Sequence, residues 1–221
     1  MDTDTVKTAG GDLTITFVGH GTLMFGWQGK TIHVDPWSRE ADYTRMPKAD
    51  LILITHEHRD HLDPAALAAV RKEKTVVLLP PKCAAAVAGG TVLRNGETTT
   101  AAGLRIEAVP AYNILSKRPT GEPYHPKGDG NGYVLTFADK RVYIAGDTEN
   151  VPEVKALKDV DIAFLPMNMP YTMTPALVAD AARAIRPRIL YPYHYGDADP
   201  AELAKLLAGD AGIEVRVRRM K

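Results

Sequence analysis

The chain has 221 residues, with 27 Lys and Arg balancing 27 Asp and Glu, 45% hydrophobic residues and a sequence pI of about 7.1. Neutrality removes any general attraction to nucleic acid or anionic lipid, and the single cysteine, Cys83, excludes an internal disulfide. Eighteen glycines and 16 prolines spread along the whole length describe an ordered globular chain rather than a linker-rich one, and we expect one domain over residues 1–221.

Met1 to Lys7 is polar and acidic, without the apolar core of a secretory signal, and no later apolar run approaches a membrane span. The expectation is a cytoplasmic protein with no membrane or nucleic-acid partner; self-association is left open. Apolar, β-branched runs bounded by turn residues predict strands at Leu13 to Val18, Thr22 to Trp27, Thr31 to Val34, Leu51 to Ile54 and Thr75 to Leu79. Between the last two, Asp63 caps and Pro64 opens a helix over the good helix formers Ala65 to Lys72.

The second half repeats this grammar, with strands at Leu104 to Val109, Gly132 to Phe137, Arg141 to Ala145, Asp161 to Leu165 and Arg188 to Tyr191. Helices open at Thr174-Pro175 and Asp199-Pro200. Two hairpins echo one another, the returning strand ending at Asp35 in the first and at Asp147 in the second, which hints at two similar strand-and-helix halves. Tyr112 to Asn131, rich in Gly and Pro, reads as a long surface loop.

The chemistry concentrates in Thr55-His56-Glu57-His58-Arg59-Asp60-His61. With seven His and seventeen Asp in the chain, an HxHxDH match is expected by chance roughly 5 times in 10,000 such sequences, so the cluster is a signal. It follows the all-apolar strand Leu51 to Ile54 and precedes a capped helix, which places it in a loop at a strand's carboxyl end, where open α/β sheets hold their sites. Alternation along the loop sends His56 and His58 to one point and lets Asp60 and His61 face a second. Imidazoles with a carboxylate suit zinc, iron or manganese, and two points of ligation suit a pair of ions. Asp147 and His194 each follow another apolar strand; alone they would read as a turn cap and a semi-buried side chain, but beside this loop they read as further ligands.

These segments, with Val18-Gly19-His20-Gly21, Val34-Asp35-Pro36, Val109-Pro110-Ala111, Ala145-Gly146-Asp147-Thr148, Leu165-Pro166 and Tyr193-His194-Tyr195-Gly196, resemble the metallo-β-lactamase-fold hydrolases. Within that family the chain is similar to the small metal-dependent hydrolases that include the ascorbate-6-phosphate lactonase type, over nearly its whole length. The resemblance implies a four-layer αββα sandwich, an α/β fold with the site along one edge of the sheets. It further implies that His56 and His58 hold one divalent ion, that Asp60, His61 and His194 hold the other, and that Asp147 bridges them. Asp60 and Asp147 are then the catalytic carboxylates, and a water or hydroxide between the metals is the nucleophile.

One departure concerns the first metal. Where relatives carry a third histidine, two residues after Pro110-Ala111, this chain has Asn113. Either Asn113 serves as a weak amide ligand and the first site is poor, or His125 folds in from the long loop as the replacement; on the first alternative, Asn113→His is expected to tighten the ion. Asp35 is expected to hold a ligand imidazole by its second N–H, His20 and Tyr171 to meet substrate, and His33 and Cys83 to be structural bystanders. The expected activity is hydrolysis of an ester-like bond, a lactone or phosphoester, in a small metabolite with two ions, zinc foremost and manganese or iron as alternatives. A mononuclear iron oxidoreductase of the persulfide-oxidising type and a catalytically silent metal-binding module are the competing readings.

Overall fold

Strand faces sort the apolar side chains before any layer is assembled. The computed structural model describes residues 1–221. In the first half, β1 (Asp2–Thr8), β2 (Gly11–Gly19), β3 (Thr22–Trp27), β4 (Lys30–Val34), β5 (Leu51–Leu53), β6 (Val76–Leu79) and β7 (Thr91–Val92) form one sheet in chain order. In the second half, β8 (Thr98–Ala101), β9 (Leu104–Ala111), β10 (Gly130–Phe137), β11 (Lys140–Ile144), β12 (Ile162–Pro166), β13 (Ile189–Tyr193) and β14 (Glu214–Val215) form another, also in chain order. Helix α1 (Pro64–Val70) belongs to the first half, and α2 (Pro152–Lys155), α3 (Pro175–Ile185) and α4 (Pro200–Leu206) to the second.

Alternation decides the layering. Leu51 and Leu53 of β5 face the other sheet, whereas Ile52, with Ile54 just beyond, packs with Ala66, Leu67 and Val70 of α1. On β12, Ile162 and Phe164 face the centre while Ala163 and Leu165 pack with Val178, Ala182 and Leu203 of α3 and α4. The central cluster draws Leu13, Ile15, Phe17 and Phe25 from one sheet and Tyr133, Leu135, Phe137 and Phe164 from the other. This is the expected αββα sandwich. No helix is long and apolar enough to cross a membrane.

The two halves are wound alike. Strands β1 to β4 are antiparallel and the sheet turns parallel from β4 to β5; β8 to β11 are antiparallel and the second sheet turns parallel from β11 to β12. Asp35 follows β4 and Asp147 lies just beyond β11, so the sequence echo marks equivalent places in the two sheets.

The expected strands form, with ends shifted by a residue or two, and the proline-opened helices begin at Pro64, Pro175 and Pro200. Asp63, Thr174 and Asp199 accept the helix N–H groups that each helix leaves unpaired. Strand β1 was not expected, because Asp2 to Thr8 offers no apolar face; it forms by backbone pairing with β2 at the sheet edge, where polar residues suit solvent. The short β7, β8, β14 and α2 likewise carry too little periodicity to be read in advance. His33 is buried with Nε2 against Pro47 O at 3.0 Å, and burial pushes the Cys83 thiol up to about 12, so both are structural.

The C-terminal strap is tied to the first strand through Asp4, which accepts from Arg218 Nη2 at 2.7 Å and from Tyr191 Oη at 2.6 Å. Burial disfavours the Asp4 carboxylate, yet these donors and the guanidinium charges hold its pKa below the usual range. A depressed folded pKa gives stability that is present above the unfolded carboxylate value and is lost as pH falls through the folded one. Asp4→Asn should therefore cost about 1–2 kcal/mol at neutral pH, with the difference from wild type shrinking in urea titrations below about pH 4.

Candidate metal centre

The loops leaving β4, β5, β11, β12 and β13 meet at one edge of the sandwich, and six of the seven histidines gather there. In the Thr55 to His61 loop the amides of His61 and Leu62 both donate to His58 O, at 3.0 and 2.8 Å. This tight turn separates the His56–His58 pair from Asp60 and His61.

The side chains form two groups. His56 Nε2 lies 3.1 Å from His58 Nδ1, which lies 3.2 Å from His125 Nε2. Asp147 Oδ2 completes that group, 3.4 Å from His125 Nε2 and 3.9 Å from His56 Nε2. In the second group, Asp147 Oδ1 lies 3.5 Å from both His61 Nε2 and His194 Nε2, and Asp60 Oδ2 lies 3.6 and 3.5 Å from the same two nitrogens. Donors about 2.0–2.2 Å from a tetrahedral ion sit about 3.3–3.6 Å apart, so the second group has the spacing of a coordination shell and the first, at 3.1–3.9 Å, straddles it.

Hydrogen bonding points the same way. His61 Nε2, His194 Nε2 and Asp147 Oδ1 are buried and have no hydrogen-bond partner, although each lone polar atom costs about 1–3 kcal/mol when desolvated. All three face one point, and a cation there satisfies them together. The residues present therefore fit metal binding, with the two oxygens of Asp147 facing the two donor groups.

Three of the imidazoles are held from behind. Asp35 Oδ2 accepts from His61 Nδ1 at 2.7 Å and from Thr55 Oγ1 at 2.5 Å, while Asp35 Oδ1 accepts the Thr55 amide at 2.8 Å. Thr55 Oγ1, its proton committed to Asp35, accepts from His56 Nδ1 at 3.0 Å. Asn168 Nδ2 lies 3.5 Å from His194 Nδ1. Such bonds fix tautomer and ring direction.

The backbone pays for this convergence in unusual conformations: His20, Asp35 and His194 all have positive φ, at 52°, 45° and 46°. Gly146, at φ +65°, leaves no space for a side chain, since a Cβ would stand 2.9 Å from Asn131 O. A Cβ on Gly21 would stand 2.8 Å from His61 Cε1.

Charge states follow. Burial pushes the His56 and His58 pKa values down, aided by neighbouring imidazoles, which favours the neutral, ligating form. Against burial, the surrounding imidazoles hold the Asp147 and Asp60 carboxyls well below the usual range. His61 is raised to about 10 despite full burial because Asp147, Asp35 and Asp60 surround it.

Asn113 and His125, alternatives for one position in the sequence, have different places here. Asn113 Oδ1 accepts from His125 N at 2.8 Å and from His125 Nδ1 at 2.6 Å. Its Nδ2 donates to Tyr171 O and Glu149 Oε1. The amide oxygen is thus spent on aiming His125 Nε2 at His56 and His58, so Asn113 does not itself join the donor group. Glu149, unremarked in the sequence, accepts the amides of Ile114, Leu115 and Ser116 and fixes the start of the loop that carries His125. Thr55 and Asn168 were also missed as supports; Thr55 stands directly before the histidine motif, whereas nothing local distinguishes Asn168.

The cluster opens into a cleft of about 810 Å³ lined by His20, Tyr171, Trp37, Tyr124 and others. His20 Nε2 lies 3.1 Å from the ionised Asp60 Oδ2, so His20 donates there, and its ring lies tilted against that of His194 with centroids 3.7 Å apart. Tyr171 is exposed at the rim, its ring 5.0 Å from Tyr124.

Loss of the bond that orients His125 should weaken the first metal site by about 10–100-fold in Asn113→Ala, as removal of a ligand's hydrogen-bonding support does elsewhere. Because the buried Asn113 pocket is already filled, Asn113→His should weaken that site as well, the opposite of what the missing histidine suggests. Metal titration of both variants checks this; tighter binding in Asn113→His would show that the position accepts a ligand.

A family model described as a beta-lactamase superfamily domain matches residues 14–194. A UPF0173 metal-dependent hydrolase of Thermococcus onnurineus is 30% identical over 216 residues, 90% of this chain and 94% of its own. Among solved structures, a candidate metal-dependent hydrolase of Parabacteroides distasonis shares 53% identity with a TM-score of 0.94, over 100% of this chain and 99% of that one. Igni18, described as a novel metallo hydrolase of Ignicoccus hospitalis, is 26% identical with a TM-score of 0.76, over 94% of this chain and 95% of its own. With its two-sheet sandwich, its histidine and aspartate cluster and these relatives, the chain belongs to the metallo-β-lactamase-fold family of metal-dependent hydrolases.

Proposed function

We propose that the protein hydrolyses an ester-like bond, a lactone or phosphoester, in a small metabolite, using two divalent ions. One ion would be held by His56, His58, His125 and Asp147 Oδ2, and the other by Asp60, His61, His194 and Asp147 Oδ1. The observation that carries this reading is Asp147, whose two oxygens face two separate groups of donors. Imidazole with carboxylate favours zinc, with manganese or iron as alternatives. Bound there, such ions supply a Lewis acid and a water acidic enough to attack at neutral pH.

The protein's own groups do the rest. Asp35, Thr55, Asn113 and Asn168 keep the ligating nitrogens aimed inward, so little reorganisation remains when substrate arrives. Asp60, partly open to the cleft, holds the His20 imidazole with its proton at Nε2. His20 and Tyr171, both lining the cleft, then present polar edges to substrate. The iron oxidoreductase reading drew partly on a weak first site; three imidazoles in that group weaken that ground for it. A silent binding module is disfavoured because both donor groups are complete and face an open cleft.

Chelation should abolish turnover of a lactone or aryl phosphoester panel, and restoring zinc or manganese should recover it. His61→Ala and Asp147→Ala should each lower kcat/KM about 100-fold or more, since several kcal/mol of charge stabilisation are lost, with reduced metal by mass spectrometry. His125→Ala should lose the first metal as His58→Ala does. Full metal content and wild-type turnover in His61→Ala or Asp147→Ala would refute the assignment.

A further inference from the structure

The central place of Asp147 sets it a problem that the imidazoles do not share. His61, His56 and His125 are each aimed by a hydrogen bond at the ring nitrogen that faces away from the donor groups. Both oxygens of Asp147 face imidazole nitrogens, Oδ2 those of His125 and His56 and Oδ1 those of His61 and His194, and no hydrogen bond from outside the two groups reaches either. A carboxylate with nothing behind it takes its direction from the backbone.

That backbone leaves the sheet at Gly146. Ala145 N still donates to Phe164 O of β12 at 3.1 Å, and Gly146 then turns off at φ +65°, wedged so tightly that a Cβ would stand 2.9 Å from Asn131 O and 3.0 Å from Thr55 Cβ. Glycine has the widest choice of backbone angles, so a loose turn here would let the carboxylate one residue on swing with it. The Gly146 amide, buried and beyond the ladder, donates instead to Tyr193 Oη at 2.8 Å. On the far side of Asp147, Thr148 Oγ1 accepts from Tyr112 N at 3.1 Å and Glu149 N donates to Tyr112 O at 3.0 Å, so the aspartate is strung between two anchors.

Tyr193 is placed to be a fixed anchor. It lies on β13, which β12 separates from β11, so its side chain spans the strand in between, and its ring packs edge-on to Phe164 of that strand with centroids 6.0 Å apart. It is 1% exposed within the central apolar cluster, where a phenylalanine would fill nearly the same space. The bond to Gly146 is the one hydrogen bond that its hydroxyl makes. A buried polar atom that packing does not need, spent on the peptide before the shared carboxylate, points to a role in the site.

We propose that Tyr193 is a positioning residue whose hydroxyl fixes the Gly146 peptide and thereby aims the Asp147 carboxylate at both donor groups. The inference rests on the two-ion reading for the place of Asp147 in both groups. It carries a signature of its own: loss of the hydroxyl weakens both ions together, whereas loss of a bond behind one imidazole, as in Asn113→Ala, weakens one.

The test is zinc titration of the wild type, Tyr193→Phe and Tyr191→Phe against a competing chelator. Tyr191, two residues earlier on the same strand, also loses a hydroxyl bond when changed to Phe, but that bond runs to Asp4 at 2.6 Å. Tyr193→Phe should weaken both ions about tenfold or more and Tyr191→Phe neither, even where thermal denaturation shows the two variants equally destabilised. Undiminished zinc affinity in Tyr193→Phe, or an equal loss in both variants, would overturn the proposal. A loss confined to the second ion would overturn it too, because the effect would then run through His194, the next residue, rather than Asp147. A wild type that binds one zinc ion or none counts against the two-ion reading instead, and amide hydrogen exchange then decides the proposal: Gly146 should exchange faster in Tyr193→Phe with Ala145 unchanged, and an unchanged Gly146 rate overturns it.

Discussion

Three desolvated polar atoms facing one point, His61 Nε2, His194 Nε2 and Asp147 Oδ1, set the terms for the rest of this structure. Brought together without hydrogen-bond partners, they are costly, and they stay together only because the surroundings leave them nowhere else to turn. Asp35 holds His61 from behind, Thr55 links His56 to the same carboxylate, and Asn113 does for His125 what Asp35 does for His61. Left-handed backbone at His20, Asp35 and His194, and glycine where a side chain would collide, are further costs of the same convergence. A site that assembles charge-stabilising groups in advance of its ligand stores just this kind of unfavourable arrangement.

The duplicated winding explains how two such different aspartates arise at matching positions. Each sheet turns from antiparallel to parallel pairing after its fourth strand, and each aspartate comes at that turn. At β4 the side chain is fully enclosed and pairs with the histidine loop of the next strand. After β11, with Gly146 allowing a sharp departure, the side chain reaches the space between the sheets' ends. One carboxylate organises imidazoles and the other faces the donor groups, so equivalent topology has yielded unlike chemistry.

The long loop between β9 and β10 gives the family site its individual character here. Glu149 gathers three successive loop amides and so sets the course of the chain towards His125. The same loop then presents Tyr124 and Arg118 to the cleft. The donor group and the substrate-facing wall are thus shaped by one segment, and the absence of a histidine at position 113 is tied to how that segment closes.

Much of this was readable from residues alone. The apolar alternation of ten strands, the cap-and-proline helix starts and the HxHxDH loop are local patterns whose physics acts between near neighbours, so the elements and the candidate cluster follow from them, whereas the four-layer fold, the family and the sorting of the donors came from the resemblance those motifs carry. The polar edge strand β1 was illegible because pairing, rather than burial, forms it. Position 113 was ambiguous for a related reason: an asparagine can ligate weakly or orient a ligand, and which it does depends on whether a histidine twelve residues away folds back against it. Arg39, Trp37 and Tyr124 carried no signal, since charge and aromatic residues scattered over separate loops acquire meaning only once tertiary packing puts them around one cleft.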